Sequence, residues 1–311
     1  THGLRMLGAV PKPLTLPTLR TILERHAQTP TRRNAPTLTP LTVGDIDTGL
    51  TAGSFFPVFQ PKIAIADGAL LGFEALARWD HPRFGRIGPD AFVPLIEDSG
   101  FAIRLTDHML VQAIGACGDW ARRGLRLSVA VNLSVDALGR LDLPEQIVAL
   151  AEKAGIGPDQ VTLEVTESRL LRDDAGPLDV LTRLRIKGMG LSLDDFGTGY
   201  ASMQRLKHVP FNELKVDRSF VSGALNDPES RAILESAINL AKRLDLTVVA
   251  EGIETEEDWR LVAGLGCDVA QGYYISEPID GHQVPEWTRN WQNRARTTAP
   301  IAVTGGHSGA A

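Results

Sequence analysis

Cysteine is nearly absent: 311 residues hold only Cys117 and Cys267, far apart and in no metal-binding spacing. That excludes a disulfide framework and a cysteine-ligated zinc site, and leaves two small buried hydrophobes in a reducing, cytoplasmic setting. No uninterrupted apolar run approaches the roughly 18 residues of a membrane span, so no membrane association is expected. The chain does not start with Met, and its first apolar run, MLGAV, falls short of the roughly 7 residues of a signal-peptide core. The N-terminus therefore reads as that of a fragment. A net charge of −6 and the lack of a basic stripe interleaved with aromatics argue against a nucleic-acid polymer as partner. Local cations must meet any anionic ligand. No glycine-rich nucleotide fingerprint follows the first strand candidate, and Gly197, Thr198 and Gly199 do not complete one. The DFG at 195–197 stands without the HRD and glycine-rich loops that a protein kinase requires.

What is present is an ordinary globular composition, 43% apolar and 23% charged, in a chain long enough to bury a substantial core. Through Arg33, six Lys or Arg face a single Glu, whereas the remainder is acidic. Within residues 1–28, LGAVPKPLTLPTLRTILERH reads as a strand, a Lys-Pro turn and an amphipathic helix with Leu16, Leu19, Ile22 and Leu23 on one face. This piece resembles the last strand and helix of a response-regulator receiver domain, as in two-component systems; a plain helical leader is the alternative. Residues 29–46, with the three prolines of TPTRRNAPTLTPLT, read as an extended linker. Residues 291–311 read as a flexible tail.

Between about 47 and 290, short β-branched or apolar runs alternate with segments of helical period, the βα rhythm of a parallel sheet. The strand candidates are FFPVFQPKI, LLGFEALAR, LRLSVAVNLS, QVTLEVTE, GLSLDDF, NELKVDR, LTVVAEGI and CDVAQGYYI; helical patterns cover 143–154, 177–187, 229–243 and 256–264. Eight strands in this length fit an α/β fold closed as a (β/α)8 barrel, with a doubly wound open sheet as the alternative. Nearly every strand candidate ends in a polar group: Glu74, Asn132, Glu164, Asp194 with Asp195, Lys215 with Asp217, Glu251 and Gln271.

In a β/α barrel these ends share one rim, so the groups converge. The carboxylates of Glu74, Glu164, Asp194, Asp195 and Glu251 cannot all stay ionised side by side without raised pKa values or bound cations. Oxygen donors and an Asn carbonyl suit Mg²⁺ or Mn²⁺ better than zinc. Two such ions ~4 Å apart would share a bridging carboxylate, which adjacent Asp194 and Asp195 can supply with a terminal ligand beside it. Two-metal sites hydrolyse phosphate esters, and Lys215 adds a positive charge where the attacking water or the phosphorus would sit.

The motifs EALAR (74–78), NLS (132–134), LEVTES (163–168), DDFGTGYAS (194–202), ELKVDRSFV (213–221), AEGIE (250–254) and QGYYIS (271–276) resemble the EAL-domain family of cyclic di-GMP phosphodiesterases. The likeness spans residues 47–290. It implies a TIM-like barrel of the EAL type whose first strand is antiparallel, and hydrolysis of cyclic di-GMP to linear pGpG with two Mg²⁺ or Mn²⁺ ions, inhibited by Ca²⁺. By motif position, Glu74, Asn132, Glu164 and Asp194 would hold the first metal, and Asp194, Asp195 and Glu251 the second. Lys215 would orient the attacking water or stabilise charge, with Glu251 as the alternative base. Gln60, Arg78 and Asp217 would face the substrate, and Gln271 would hydrogen-bond nearby. Glu167 would anchor the loop 196–202, which the family connects to a dimer interface, so a homodimer is implied. Control by an N-terminal signalling domain is expected. Where the family usually has Ser-Arg-Pro, this chain has Ser276-Glu277-Pro278. Every metal position is present, which favours an active enzyme over a cyclic di-GMP receptor.

Overall fold

The structure is a computed structural model and describes residues 41–166, 175–197 and 209–297. The expectations for 1–28, Glu167 and the loop residues 198–202 lie outside these. The described part opens on helix α1 (Val43–Thr51), started by a reciprocal cap between Thr42 and Asp45. The expected boundary at 46–47 thus falls inside a helix, because this capping box was overlooked beside the prolines.

β1 (Phe55–Ala64) forms a long antiparallel pair with β2 (Leu70–His81), running from Phe55–Trp79 to Ile63–Leu70. β3 (Gly85–Ile87) turns back on β2, and α2 (Pro89–Asp98) and α3 (Ala102–Arg122) follow. From there the order is β4 (Ser128–Asn132), α4 (Leu143–Ala154), β5 (Val161–Thr166), α5 (Ala175–Ile186), β6 (Gly190–Phe196) and β7 (Glu213–Val216). The remainder is α6 (Arg218–Gly223), α7 (Pro228–Arg243), β8 (Thr247–Ala250), α8 (Glu256–Leu265), β9 (Val269–Ala270), β10 (Ile279–Asp280) and α9 (Val284–Thr297). β2, β4, β5, β6, β7, β8 and β9 pair in parallel in that order. β1 closes the ring antiparallel to both β2 and β9. This is an eight-stranded barrel with an antiparallel first strand, and all eight expected strands are in it.

β3 and β10, three and two residues long at the margins, were not expected; α9 carries the chain helically through Thr297, past the expected start of a tail at 291. The four expected helices are present to within two residues. Alternation along β1 and β2 separates two environments. Phe59 packs edge-on against Trp120 of α3 at 4.8 Å, and Phe73 against Trp287 of α9 at 5.8 Å, so these faces meet the helices. Gln60, Lys62 and Glu74 take the opposite, interior face and are buried too. Cys117 and Cys267 are buried and free, and burial pushes both thiols up to about 12, where they are inert.

Candidate active site

The parallel strands deliver polar groups to one rim, Gln60 joins them from the antiparallel β1, and Lys215 of β7 is the meeting point of the acids. Its side chain is 1% exposed. Nζ lies 2.7 Å from Glu251 Oε1, 2.8 Å from Glu164 Oε2, 3.1 Å from Asp194 Oδ1 and 3.2 Å from Glu74 Oε2. An ammonium among four carboxylates is a counter-ion, and it explains how so many acids share one rim. Asn132 at the end of β4 donates Nδ2 to Glu74 Oε1 at 3.1 Å, which leaves its amide oxygen for a ligand. Gln271 donates Nε2 to Glu74 Oε2 at 2.7 Å and to Gln60 Oε1 at 3.0 Å. Gln60 in turn donates to the Ser276 carbonyl at 3.2 Å. Gly272 makes this possible, since a Cβ there would overlap the backbone of Ile253, against which Gln271 is hydrogen-bonded.

Successive residues of a strand point to opposite faces, so Asp194 and Asp195 share one site only if the strand is broken between them. It is. The β6–β7 ladder shifts register between Leu193 and Phe196, and Asp195 has φ 56°, in the left-handed region that a non-glycine residue avoids. The bulge turns Asp195 back beside its neighbour, and the Asp195 N–H donates to Asp194 Oδ1 at 3.0 Å. Two groups of carboxylates then have oxygens within 4.8 Å of one another: Glu74, Glu164 and Asp194, and Asp194, Asp195 and Glu251. Asp194 belongs to both.

Burial pushes the Glu164 carboxyl well above its ordinary range, with the Glu74 charge adding to it. Burial also acts on Glu74, but Lys215 and the bond from Gln271 outweigh it and hold that carboxyl low. Glu251 rises to about 8 through burial, against the pull of Lys215, and Asp195 to about 6 through burial and the Asp194 charge. Lys215 would lose its proton more easily by burial alone; Asp194, Glu164, Glu251 and Glu74 reverse this and keep it cationic. A site that raises three of its carboxyl groups is short of positive charge. Hard divalent ions fit it: the donors are carboxylate and amide oxygens, gathered in two groups that share Asp194.

Arg78 shares the Glu74 face of β2, ~13 Å further along the strand, half-buried and electrostatically coupled to Tyr273, Asp90 and Glu74. Asp217 accepts from the Ser219 N–H at 3.0 Å and so caps α6. This does not remove its charge, which acts on Asp195. Glu277 is exposed, next to the residue that holds Gln60. Two interior residues were missed. Lys62, two positions after Gln60 in β1, pairs with Glu213, two before Lys215 in β7, at 2.6 Å. Alternation alone places both on the interior face.

Residues 44–278 match the EAL domain family. The chain belongs to the EAL family. The chain is 36% identical over 281 residues to cyclic di-GMP phosphodiesterase RocR of Pseudomonas aeruginosa, covering 89% of this chain and 71% of that protein. It is 36% identical over 231 residues to the oxygen sensor protein DosP of Escherichia coli, covering 74% of this chain but 29% of that protein. Most of the matched curated relatives are thus much longer. Among solved structures, the PaMucR phosphodiesterase in complex with cyclic di-GMP is 35% identical, with a TM-score of 0.73 over 78% of this chain and 98% of that one. A calcium and cyclic di-GMP complex of BlrP1 from Klebsiella pneumoniae is 29% identical, with a TM-score of 0.63 over 74% of this chain and 57% of that one.

Proposed function

We propose that the chain is a metal-dependent phosphodiesterase that hydrolyses cyclic di-GMP to linear pGpG. The observation that carries this reading is the pair of carboxylate groups joined by Asp194, with Lys215 between them, on the rim of an EAL barrel. Relatives named as cyclic di-GMP phosphodiesterases, and a similar structure holding that nucleotide, support the substrate. Glu74, Asn132, Glu164 and Asp194 would hold the first ion and Asp194, Asp195 and Glu251 the second, with Mg²⁺ or Mn²⁺ favoured by the all-oxygen donors. Bound there, the ions supply Lewis acidity that lowers the pKa of water and offsets phosphoryl charge.

The side chains do the rest. Lys215 keeps its proton among the acids and presents it to the attacking water or to the charge gathering on phosphorus. Glu251, 2.7 Å from Lys215, is placed to accept a proton from that water. Arg78 offers a guanidinium to a phosphate or a guanine edge outside the ion sites. Gln271 fixes Glu74 from the side, and Gln60 fixes Gln271. Asp217 borders the same mouth from the start of α6.

The protein acts as a cytoplasmic homodimer under the control of an N-terminal signalling segment; the anchoring role expected of Glu167 falls outside the described residues. Among the described residues no helix is long and apolar enough to cross a membrane. Chromatography of cyclic di-GMP incubated with the full chain and Mg²⁺ or Mn²⁺ tests the reading. Conversion to pGpG that EDTA stops is expected. Intact nucleotide with retained binding would make the protein a receptor, and preferential cleavage of cyclic di-AMP run in parallel would change the substrate.

A further inference from the structure

We propose that Lys62, braced by Glu213, is a positioning residue for Glu164, acting from inside the barrel on the metal group of the activity assigned above. Lys62 follows Gln60 by two residues in β1, so it shares the interior face one layer deeper, ~7 Å along the strand. Its side chain is 8% exposed. Nζ lies 2.6 Å from Glu213 Oε1 and 3.9 Å from Glu164 Oε1. Glu164 therefore stands between two ammonium groups, Lys215 on Oε2 at 2.8 Å and Lys62 on Oε1. Oε1 is buried and accepts no hydrogen bond among the described residues. Among the described residues, the Lys62 ammonium is the cation beside that oxygen.

The consequence is directional. With Oε1 drawn toward Lys62, Oε2 is the atom turned to Lys215, Glu74 and Asp194, where the first ion is assigned. A second cation beneath a metal site also repels the metal, and the two effects must be weighed. Coulomb energy falls as the inverse of distance. The attraction acts on Oε1 at 3.9 Å, whereas an ion on the Oε2 side lies on the far side of the carboxylate from Lys62. Glu213, 2.6 Å from Lys62, leaves that pair with little net charge to repel the ion, so what Lys62 supplies is the direction of Glu164 Oε1. Glu213 keeps Lys62 from swinging upward into the cluster as a competitor for the other acids.

Calorimetric titration of the full chain with Mn²⁺, in the absence of nucleotide, tests this for wild type, Lys62→Met and Lys62→Arg. Lys62→Met should bind one of the two ions about tenfold or more weaker, the usual effect of removing a residue that orients a ligand. Lys62→Arg, which keeps the charge, should recover most of that loss. In turnover assays of Lys62→Met, the Mn²⁺ concentration for half-activation should rise by a similar factor while KM for cyclic di-GMP at saturating Mn²⁺ stays put. A merely structural role would lower thermal stability and leave metal affinity alone. A folded Lys62→Met that binds both ions as tightly as wild type, or tighter, overturns the proposal. If Lys62→Met does not fold, Lys62→Met/Glu213→Leu decides in its place. It removes the whole buried ion pair, a replacement cores tolerate better than half of one, and the same outcomes apply. Because the titration contains no nucleotide, failure of the phosphodiesterase reading would appear separately, as absent turnover in wild type.

Discussion

Replacing Lys215 by Met is the sharpest test of the idea that an ammonium and two ions share the task of neutralising one rim. Without metal, Nζ is the buried counter-charge of four carboxylates at 2.7 to 3.2 Å. Removing one member of such a group costs about 3–5 kcal/mol, equivalent to a Tm at least about 6 °C lower in a domain of this size. The loss should depend on pH in a definite sense. Carboxyl groups such as Glu251, already raised to about 8, have folded pKa values above their unfolded ones, so the folded state binds the extra protons. Their contribution to stability is present below the unfolded value of ~4.3 and is lost as pH rises through the folded one. Glu74, which Lys215 holds low, loses its counter-charge at both pH values, so the variant should lie below wild type already at pH 5 and, as its other carboxyl groups rise further, furthest below it near pH 8. Mn²⁺ restores positive charge and should raise the Tm of Lys215→Met more than that of wild type, with no return of turnover. Scanning calorimetry at both pH values, with Mn²⁺ or with EDTA, reads all of this. Equal Mn²⁺ shifts in both proteins, or turnover in Lys215→Met near that of wild type, would refute the shared-charge argument.

Asp194 belongs to both carboxylate groups, so Asp194→Ala should lose both Mn²⁺ ions by calorimetric stoichiometry, whereas Glu251→Gln should lose one; two ions retained in Asp194→Ala would break the ligand assignment. Asp195→Asn keeps the side-chain shape and tolerance for φ 56° while removing charge, and its turnover should suffer less at high Mn²⁺ than at low Mg²⁺. An equal deficit under both conditions would count against a metal role. Metal-free Asp195 and Glu251 titrate at about 6 and about 8, so Mn²⁺ affinity should climb between those pH values, with protons released on binding. Binding heats that do not vary with the ionisation enthalpy of the buffer would contradict this. Ca²⁺ should compete with Mn²⁺ for the same oxygens and suppress turnover, because a larger ion requires more and longer ligand bonds; product formation in Ca²⁺ alone at the Mn²⁺ rate would be the contrary result.

The barrel and its acids were readable in the sequence because each rests on a local signal. β-Branched runs of alternating polarity mark the strands, and a polar residue at each strand end marks the rim, which is why Glu74, Glu164, Lys215 and Glu251 could be named before any coordinates. Closure by an antiparallel first strand was not readable from those signals. Strand direction is set by which ends the ladder joins, here Gln60 opposite Glu74, and the β1 sequence carries no mark of it. The bulge at Asp195 was hidden for a related reason: a DD pair in a strand reads as one residue inward and one outward until the register shift is seen. Lys62 and Glu213 were passed over although their period-2 spacing from Gln60 and Lys215 was available. Attention to strand ends misses a layer that lies beneath them.

That lower layer bears on how many ions the site takes. Among the described residues, six carboxylates, those of Glu74, Glu164, Asp194, Asp195, Glu213 and Glu251, gather with the two ammonium groups of Lys62 and Lys215. Four negative charges are left formally unmatched, equal to the charge of two divalent cations. One ion would leave two acids to be neutralised by protons, and the Glu251 carboxyl, pushed up to about 8 by burial, is one place to hold such a proton. Occupancy by two ions should therefore displace the protons that a single ion leaves behind. Proton release per ion, followed across a Mn²⁺ titration near pH 7, should continue through the second equivalent. Release that ends with the first equivalent would mean that the site neutralises itself with one metal and retained protons, and the bridging role of Asp194 would fall with it.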